Sequence, residues 1–251
     1  MFVENPNLPK GEVSAVAISE EAVDAISKLN SLGIECYKIK KSAKLPQPVN
    51  SHADLQMLHL CKNRIILSTE HLFSGESDKK FDICRTRAEL GNVYPKDVIL
   101  NCKIVGKHIF LNKKTIAKEI LEFAYNNDMT VINVNQGYTG CSIVAINESA
   151  IITDDESIFT AAGNFLNDVL FISKGSIRLK GYDYGFIGGC CGKIASDKLA
   201  VNGRTESHKD FNKIIDFIQR HNVQIVELTD TVLTDIGGIL PLIEKETRSL
   251  I

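Results

Sequence analysis

A hairpin pattern occurs four times along the chain, and this repetition restricts the possible folds more than any other feature. Each copy has a polar or glycine-rich start, an apolar strand, a two-residue turn and a short apolar return strand. The copies span residues 50–68, 97–112, 137–154 and 183–202, and their turns begin at residues 62, 106, 147 and 196. Successive turns are therefore 44, 41 and 49 residues apart. A period of this length is typical of folds that repeat one supersecondary unit.

The residues at the four turns favour tight hairpins. Two-residue connections rich in Asn, Gly, Ser and Asp are typical of such hairpins, because their central residues often need positive φ angles. The predicted turns are Lys62-Asn63, Gly106-Lys107, Asn147-Glu148 and Ser196-Asp197.

The repeat unit is predicted to continue into a helix and then a short strand. Apolar residues within 211–218 recur at the spacing of a half-buried helix, and similar stripes occur within 22–29 and 116–124. The remaining helix is expected within 69–93. The short strands are predicted over 34–39, 130–134, 169–172 and 223–228. Residues with a side-chain oxygen that suits a helix start are Ser19, Ser68, Asn112, Asp154 and Ser207.

The two ends of the chain supply the two halves of a fifth hairpin. One half is 13–18, before the first helix, and the other is 235–243. Pairing these segments would complete a fifth unit and remove two exposed sheet edges. We therefore predict an α/β fold, a five-fold pseudo-symmetric propeller that forms a single domain over 1–251. The alternative is an open sheet with parallel crossovers, which accommodates recurrent hairpins poorly.

The composition favours a soluble cytoplasmic protein. Among the 251 residues, 44% are hydrophobic and 24% are charged, and the formal net charge is -2, so nucleic acid is not an expected partner. No apolar stretch approaches the roughly 20 residues of a membrane helix, and the first residues lack the pattern of a signal peptide. The seven cysteines are scattered without zinc-type spacing, which is typical of reduced thiols.

The start of the first hairpin carries the strongest polar pattern. Asn50, His52, Asp54 and Gln56 alternate with other residues, so a strand would present all four on one face, roughly 7 Å apart. In a ring of units that face would border the central channel. There His52 could act as an acid or base, and Asp54 could orient it or bind a cationic substrate. The alternative is a structural hydrogen-bond network.

Two cysteines are candidates for the same channel. Aligning the hairpins on their turns places Gln56, Cys141 and Cys190 at equivalent positions, six residues before each turn. If Gln56 faces the channel, both cysteines should face it too. Cys190, beside glycine backbone N–H groups and a histidine, could then be a nucleophile with an oxyanion site. The alternative is that both thiols are buried packing residues.

Two further aspartates are candidates for substrate binding. Asp183 and Asp235 could form an acidic wall with Asp54, and such a wall suits a guanidinium or ammonium group. Neither a metal site nor a cofactor is predicted, because zinc-protease spacing, GxGxxG and a P-loop are all absent. Close backbone approach near a ring axis accounts for the glycines within 185–192 more simply.

The order of units, together with two phrases, resembles the pentein fold. The phrases are Asn-Ser-His-Ala-Asp-Leu-Gln at 50–56 and Thr-Asp-Ile-Gly-Gly-Ile-Leu-Pro-Leu at 234–242. Penteins are the five-bladed α/β propellers of the amidinotransferase and guanidino-modifying superfamily, and the chain resembles most an uncharacterised bacterial branch. The superfamily includes arginine deiminases, dimethylarginine dimethylaminohydrolases and a non-catalytic ribosome anti-association factor. The resemblance implies a central pocket for a small guanidino- or amino-acid-like molecule.

The chain departs from the superfamily at the usual catalytic positions. Hydrolytic members use a cysteine near the C-terminus and a histidine in the fourth unit, whereas here no cysteine follows Cys191 and no histidine lies within 183–202. Two hypotheses remain open. The protein is either an enzyme or degenerate enzyme acting on a small polar molecule, or a non-catalytic assembly factor that binds a protein partner.

Overall fold

The part of the chain that the structure describes forms five three-stranded sheets, each with a central strand that pairs antiparallel with one neighbour and parallel with the other. The structure is a computed structural model and describes residues 1–68 and 80–246. In chain order the strands are β1 (Val13–Ser19), β2 (Glu35–Ile39), β3 (Met57–Cys61), β4 (Arg64–Leu67), β5 (Asp82–Arg85), β6 (Lys103–Val105), β7 (His108–Leu111), β8 (Thr130–Asn133), β9 (Ile143–Asn147), β10 (Ala150–Thr153), β11 (Asp168–Phe171), β12 (Cys191–Ala195), β13 (Lys198–Val201), β14 (Gln224–Glu227) and β15 (Leu240–Glu244).

Each predicted hairpin forms two strands of one sheet. Sheet 1 contains β3, β4 and β5, sheet 2 contains β6 to β8, sheet 3 contains β9 to β11, and sheet 4 contains β12 to β14. Sheet 5 has the order β15-β1-β2, so it combines both ends of the chain. Val16 lies opposite Pro241 and Ala17 opposite Leu240 in the antiparallel pairing. The predicted closure through the chain ends is therefore confirmed.

The longer helices connect the second and third strands of their units. They are α1 (Val23–Ser31), α3 (Lys118–Asn126), α4 (Glu156–Ala162) and α5 (Phe211–Arg220), whereas α2 (Ala53–Gln56) is a single turn that leads into β3. Of the range 69–93, in which the remaining helix was predicted, 69–79 lie outside the described residues, and the described part, 80–93, contains β5 and no α-helix. Asp155, one residue after the predicted start, caps α4 by accepting hydrogen bonds from the Ser157 and Ile158 N–H groups.

Five apolar clusters join each sheet to the next around the ring. Within each cluster, side chains from the strands of two consecutive sheets are buried together, and four clusters also include a face of one of the longer helices. Each sheet therefore packs against the preceding and the following sheet, and this rules out the alternative of an open sheet with parallel crossovers. Representative pairs are Ile66 with Ile104, Phe110 with Ile151, Ile152 with Leu199, Ala200 with Val16, and Ala17 with Ile65.

Three of the four predicted turns are confirmed. The remaining turn, that of the third hairpin, lies one residue later than predicted. Strand β9 extends through Asn147, whose Oδ1 accepts a hydrogen bond from the Ser149 N–H at 2.9 Å. This side chain therefore caps a turn at Glu148 and Ser149. The shift changes the alignment of the repeats, because Ser142 and not Cys141 then lies six residues before the turn.

Within 1–68 and 80–246, none of the helices has the combination of length and apolar surface that spanning a bilayer requires.

Candidate functional site

A cavity of about 230 Å³ lies where four of the five units converge. Its lining comes from the segments that lead into the first strands of units 1, 3, 4 and 5, which are loops except at Leu55, a residue of the short helix α2. Four predicted site residues line this pocket, namely His52, Cys141, Asp183 and Asp235. The other lining residues are Val49, Leu55, Tyr138, Leu179, Tyr182, Tyr184 and Phe186.

Aromatic rings form one wall of the pocket. The ring of Phe186 stacks on that of Tyr138, with centroids 5.6 Å apart and planes 22° apart, and meets Tyr184 edge-on at 6.0 Å. The Tyr138 hydroxyl donates a hydrogen bond to Asp97. Burial, and then this contact, raises the pKa of Tyr138, so the phenol stays neutral. Tyr182, 44% exposed, lies at the rim.

His52 and Asp235 face each other deeper in the pocket. The distance from His52 Nδ1 to Asp235 Oδ1 is 3.7 Å. Asp235 also accepts hydrogen bonds from the N–H groups of Phe186 (2.9 Å) and Gly237 (3.0 Å), and so joins units 4 and 5. Gly237 has φ +77°, and a Cβ there would lie 2.4 Å from the Cα of His52. Only glycine therefore allows the backbone to pass this close to the histidine.

Cys141 is the only cysteine among the described residues that line the pocket. Its Sγ donates to Asp54 Oδ2 at 2.9 Å and accepts from the Asn101 Nδ2 at 3.1 Å. Asn101 Oδ1 in turn accepts from the N–H groups of Gly140 and Cys141, which fixes the loop. Burial, together with the charge of Asp54, raises the pKa of Cys141 well above its usual value. The group is thus a thiol, the poorly nucleophilic form.

Asp54 lies behind the pocket, between it and a second cavity of about 20 Å³. Its Oδ1 has no hydrogen-bond partner among the described residues, and burial raises the pKa of this carboxyl. Lys103 lines the same small cavity, where burial lowers its pKa while the charge of Asp54 opposes that change. Asp54 therefore does not line the pocket itself but accepts a hydrogen bond from the Cys141 thiol, which does.

The prediction that a strand at 50–56 presents Asn50, His52, Asp54 and Gln56 on one face is wrong. Residues 53–56 form α2, so alternate residues do not share a face. The Gln56 Nε2 donates to the carbonyl oxygens of Lys40 (2.9 Å) and Asn50 (2.6 Å), which is a structural role. Neither Asn50 nor Gln56 lines the pocket, whereas His52 does because the chain turns there.

The prediction that Cys190 faces the channel is also wrong. It ends a 3₁₀ turn over Ile187–Cys190, is completely buried, and belongs to the apolar cluster between sheets 3 and 4. Its Sγ donates to the Ile187 carbonyl oxygen at 3.1 Å and lies 3.6 Å from Cys191 Sγ. The Cys191 thiol, and then burial, raises the pKa of Cys190 well above its usual value. These surroundings are those of a packing residue.

The sequence reasoning missed the aromatic wall. A signal existed, since Tyr182, Tyr184 and Phe186 alternate within five residues, directly before the glycines of the fourth unit. Tyr138 carried no comparable signal, because its partner in the stack lies in another unit. Among 1–68 and 80–246, no group of three His, Cys, Asp or Glu side chains is arranged to hold a metal ion.

Solved structures that are similar to this chain include pentein enzymes. The amidinotransferase SxtG from Microseira wollei, of the saxitoxin biosynthetic pathway, is similar over 98% of each chain at 11% identity, with a TM-score of 0.59. The inosamine-phosphate amidinotransferase StrB1 from Streptomyces griseus is similar over 98% of each chain at 11% identity, with a TM-score of 0.60.

A third similar structure is DDAH from Pseudomonas aeruginosa, a cysteine-to-serine mutant in complex with citrulline. It is 9% identical, and the match covers 91% of this chain and 96% of that one, with a TM-score of 0.53. The predicted pentein fold is therefore confirmed. No curated protein matches the sequence. A family model described as a family of unknown function (DUF6873) matches residues 17–240.

Proposed function

The chain belongs to the family of unknown function DUF6873, and we propose that it binds a small molecule bearing a guanidinium or ammonium group. The observation that supports this best is the lining of the pocket of about 230 Å³ at which four units converge. Aromatic rings and the carboxylates of Asp183 and Asp235 converge there, and none of the described lining residues is Lys or Arg. The fold is also that of enzymes that act on guanidino groups, which agrees with such a ligand.

The aromatic wall suits the delocalised charge of a guanidinium. A cation over a ring face gains about 0.5–2 kcal/mol, more as water is excluded. The stacked pair of Tyr138 and Phe186 presents such faces without further ordering, since Asp97 holds the Tyr138 hydroxyl. A cavity of about 230 Å³ accommodates a ligand no larger than an amino acid, below the usual volume of drug-sized sites.

The carboxylates supply the charge-assisted hydrogen bonds that orient such a ligand. Asp235 is buried, and both of its oxygens accept backbone hydrogen bonds, so its charge is held in place within the pocket. Asp183 lies at the exposed rim, where its carboxylate is accessible. Hydrogen bonds to a charged group contribute roughly 1.5–3 kcal/mol when desolvated and less at a rim.

The proposal is a binding function, with no reaction assigned. Cys141 is a buried thiol hydrogen-bonded to Asp54, so it lacks the thiolate that nucleophilic catalysis needs. His52 is in place to hydrogen-bond a ligand, and a catalytic role for it stays a prediction. The alternative hypothesis of a protein-binding assembly factor also stays a prediction, and no described surface favours it over the pocket.

Asp183→Asn is expected to weaken binding of a guanidinium probe about three- to tenfold, because it removes a rim charge while keeping the shape. Isothermal titration calorimetry with a panel of guanidinium and ammonium compounds measures the effect. Asp216→Asn provides the matched control, since Asp216 is an exposed aspartate on α5 and does not line the pocket. Equal affinities in the two variants, or no binding by the wild type, would contradict the proposal.

A further inference from the structure

Among the described residues that line the pocket of about 230 Å³, no Lys or Arg is available to a ligand carboxylate. Proteins usually bind such a group with Arg, Lys or free backbone N–H groups. Of the eleven described lining residues, only His52 is able to carry a positive charge, and its Nδ1 already lies 3.7 Å from Asp235.

Backbone donors around the pocket are largely committed to other partners. The Phe186 N–H donates to Asp235, and the Cys141 N–H donates to Asn101. The N–H groups of His52 and Leu55 donate to the Val49 and His52 carbonyl oxygens. A carboxylate placed against these segments would therefore meet donors that are already paired.

Negative charge surrounds the pocket on several sides. Asp183 and Asp235 line it, and Asp97 lies behind the Tyr138 ring. A ligand carboxylate would add another negative charge to this group without a counter-ion. At separations of a few ångströms and partial burial, such repulsion amounts to more than 1 kcal/mol.

The remaining lining is apolar. Val49, Leu55 and Leu179 face the cavity together with the aromatic wall, and their surroundings suit an alkyl or aryl body. We infer that the ligand is an amine or guanidine with an apolar body and no carboxylate, so that the pocket selects decarboxylated or amidated compounds over amino acids. This inference rests on the proposed function and narrows its ligand.

Two probe series test the inference on the wild-type chain. Agmatine, argininamide and arginine share a guanidinium and an alkyl chain, whereas phenethylamine, phenylalaninamide and phenylalanine share an aromatic body and an ammonium group. In each series only the amino acid carries a carboxylate. Titration calorimetry at about pH 6.5 keeps the α-amino groups charged, so net differences come from the carboxylate.

We expect at least one series to bind, with the amine and the amide at least about tenfold tighter than the amino acid, which corresponds to about 1.4 kcal/mol. An amino acid that binds as tightly as its amide would overturn the inference while leaving the proposed function intact. Absence of binding in both series would overturn the proposed function and the inference with it. In Asp183→Asn the preference for the amide should shrink, because one of the repelling charges is gone.

Discussion

Gly192→Ala is expected to lower the free energy of unfolding by about 3 kcal/mol or more. A Cβ at Gly192 would lie 1.9 Å from the Ile239 carbonyl oxygen and 2.7 Å from its carbonyl carbon. Both are backbone atoms, so no side-chain rotation relieves the overlap. The Ile239 N–H also donates to the Cys191 carbonyl oxygen at 3.2 Å, which makes this contact part of the junction between units 4 and 5. Thermal and urea unfolding followed by circular dichroism measures the loss.

Gly163→Ala is the matched control for this substitution. Gly163 follows α4 with φ −60°, and a Cβ there would make only ordinary contacts, at 3.6 Å or more. Reduced freedom of the unfolded chain should leave this variant equal to the wild type or more stable by about 0.4–1 kcal/mol. If Gly192→Ala and Gly163→Ala both unfold like the wild type, the close contact between Gly192 and the Ile239 backbone is contradicted.

The wild type is expected to lose much of its free energy of unfolding as the pH rises from about 4 to 7, and Asp154→Asn is expected to abolish this loss. Burial raises the pKa of Asp154 to about 7, and although its Oδ2 accepts from the Ile187 N–H at 3.4 Å, Oδ1 has no partner among the described atoms. The folded state therefore holds a proton that the unfolded chain releases near its ordinary pKa. Stability falls as the pH rises through this window, by about 4 kcal/mol in total.

The comparison is made on free energies of unfolding from urea titrations at pH 4.5 and pH 8. The wild type should lose more stability than Asp154→Asn over this range, whereas Asp216→Asn, at an exposed position on α5, should follow the wild type. Asp54, whose pKa burial also raises, contributes in the same direction in all three proteins. Parallel pH curves for the wild type and Asp154→Asn would show that Asp154 ionises normally in the folded state.

The turn residues and the apolar spacing were sufficient to predict the architecture. Asn63, Gly106 and Asp197 lie at tight turns where they were expected, because hairpin geometry depends on two adjacent residues. The closure between 13–18 and 235–243 was also predictable, since each segment alone is half of a unit and would leave an exposed edge. Even the error at Asn147 is local, an Asx turn that moves the loop by one residue.

Side-chain direction near the pocket was much less predictable. The period-two interpretation of 50–56 failed because 53–56 form a helical turn, in which the Asp54 N–H donates to the Gly237 carbonyl oxygen at 3.1 Å, a contact across 183 positions of the chain. The alternation of polar residues within 50–56 favours a strand, whereas the structure has a helical turn there. The one-residue shift at the third hairpin similarly decides that Cys141 lines the pocket and Cys190 does not.

What the amino-acid order determined by itself is the five-unit ring, since turn chemistry and apolar periodicity act between residues close in the chain. Only the tertiary structure decided which side chains meet at its centre. Tyr138 stacks on Phe186 and His52 faces Asp235 because loops from separate units are held at one place by the sheets behind them. Such convergence depends on packing between units, and no pattern within a single segment encodes it.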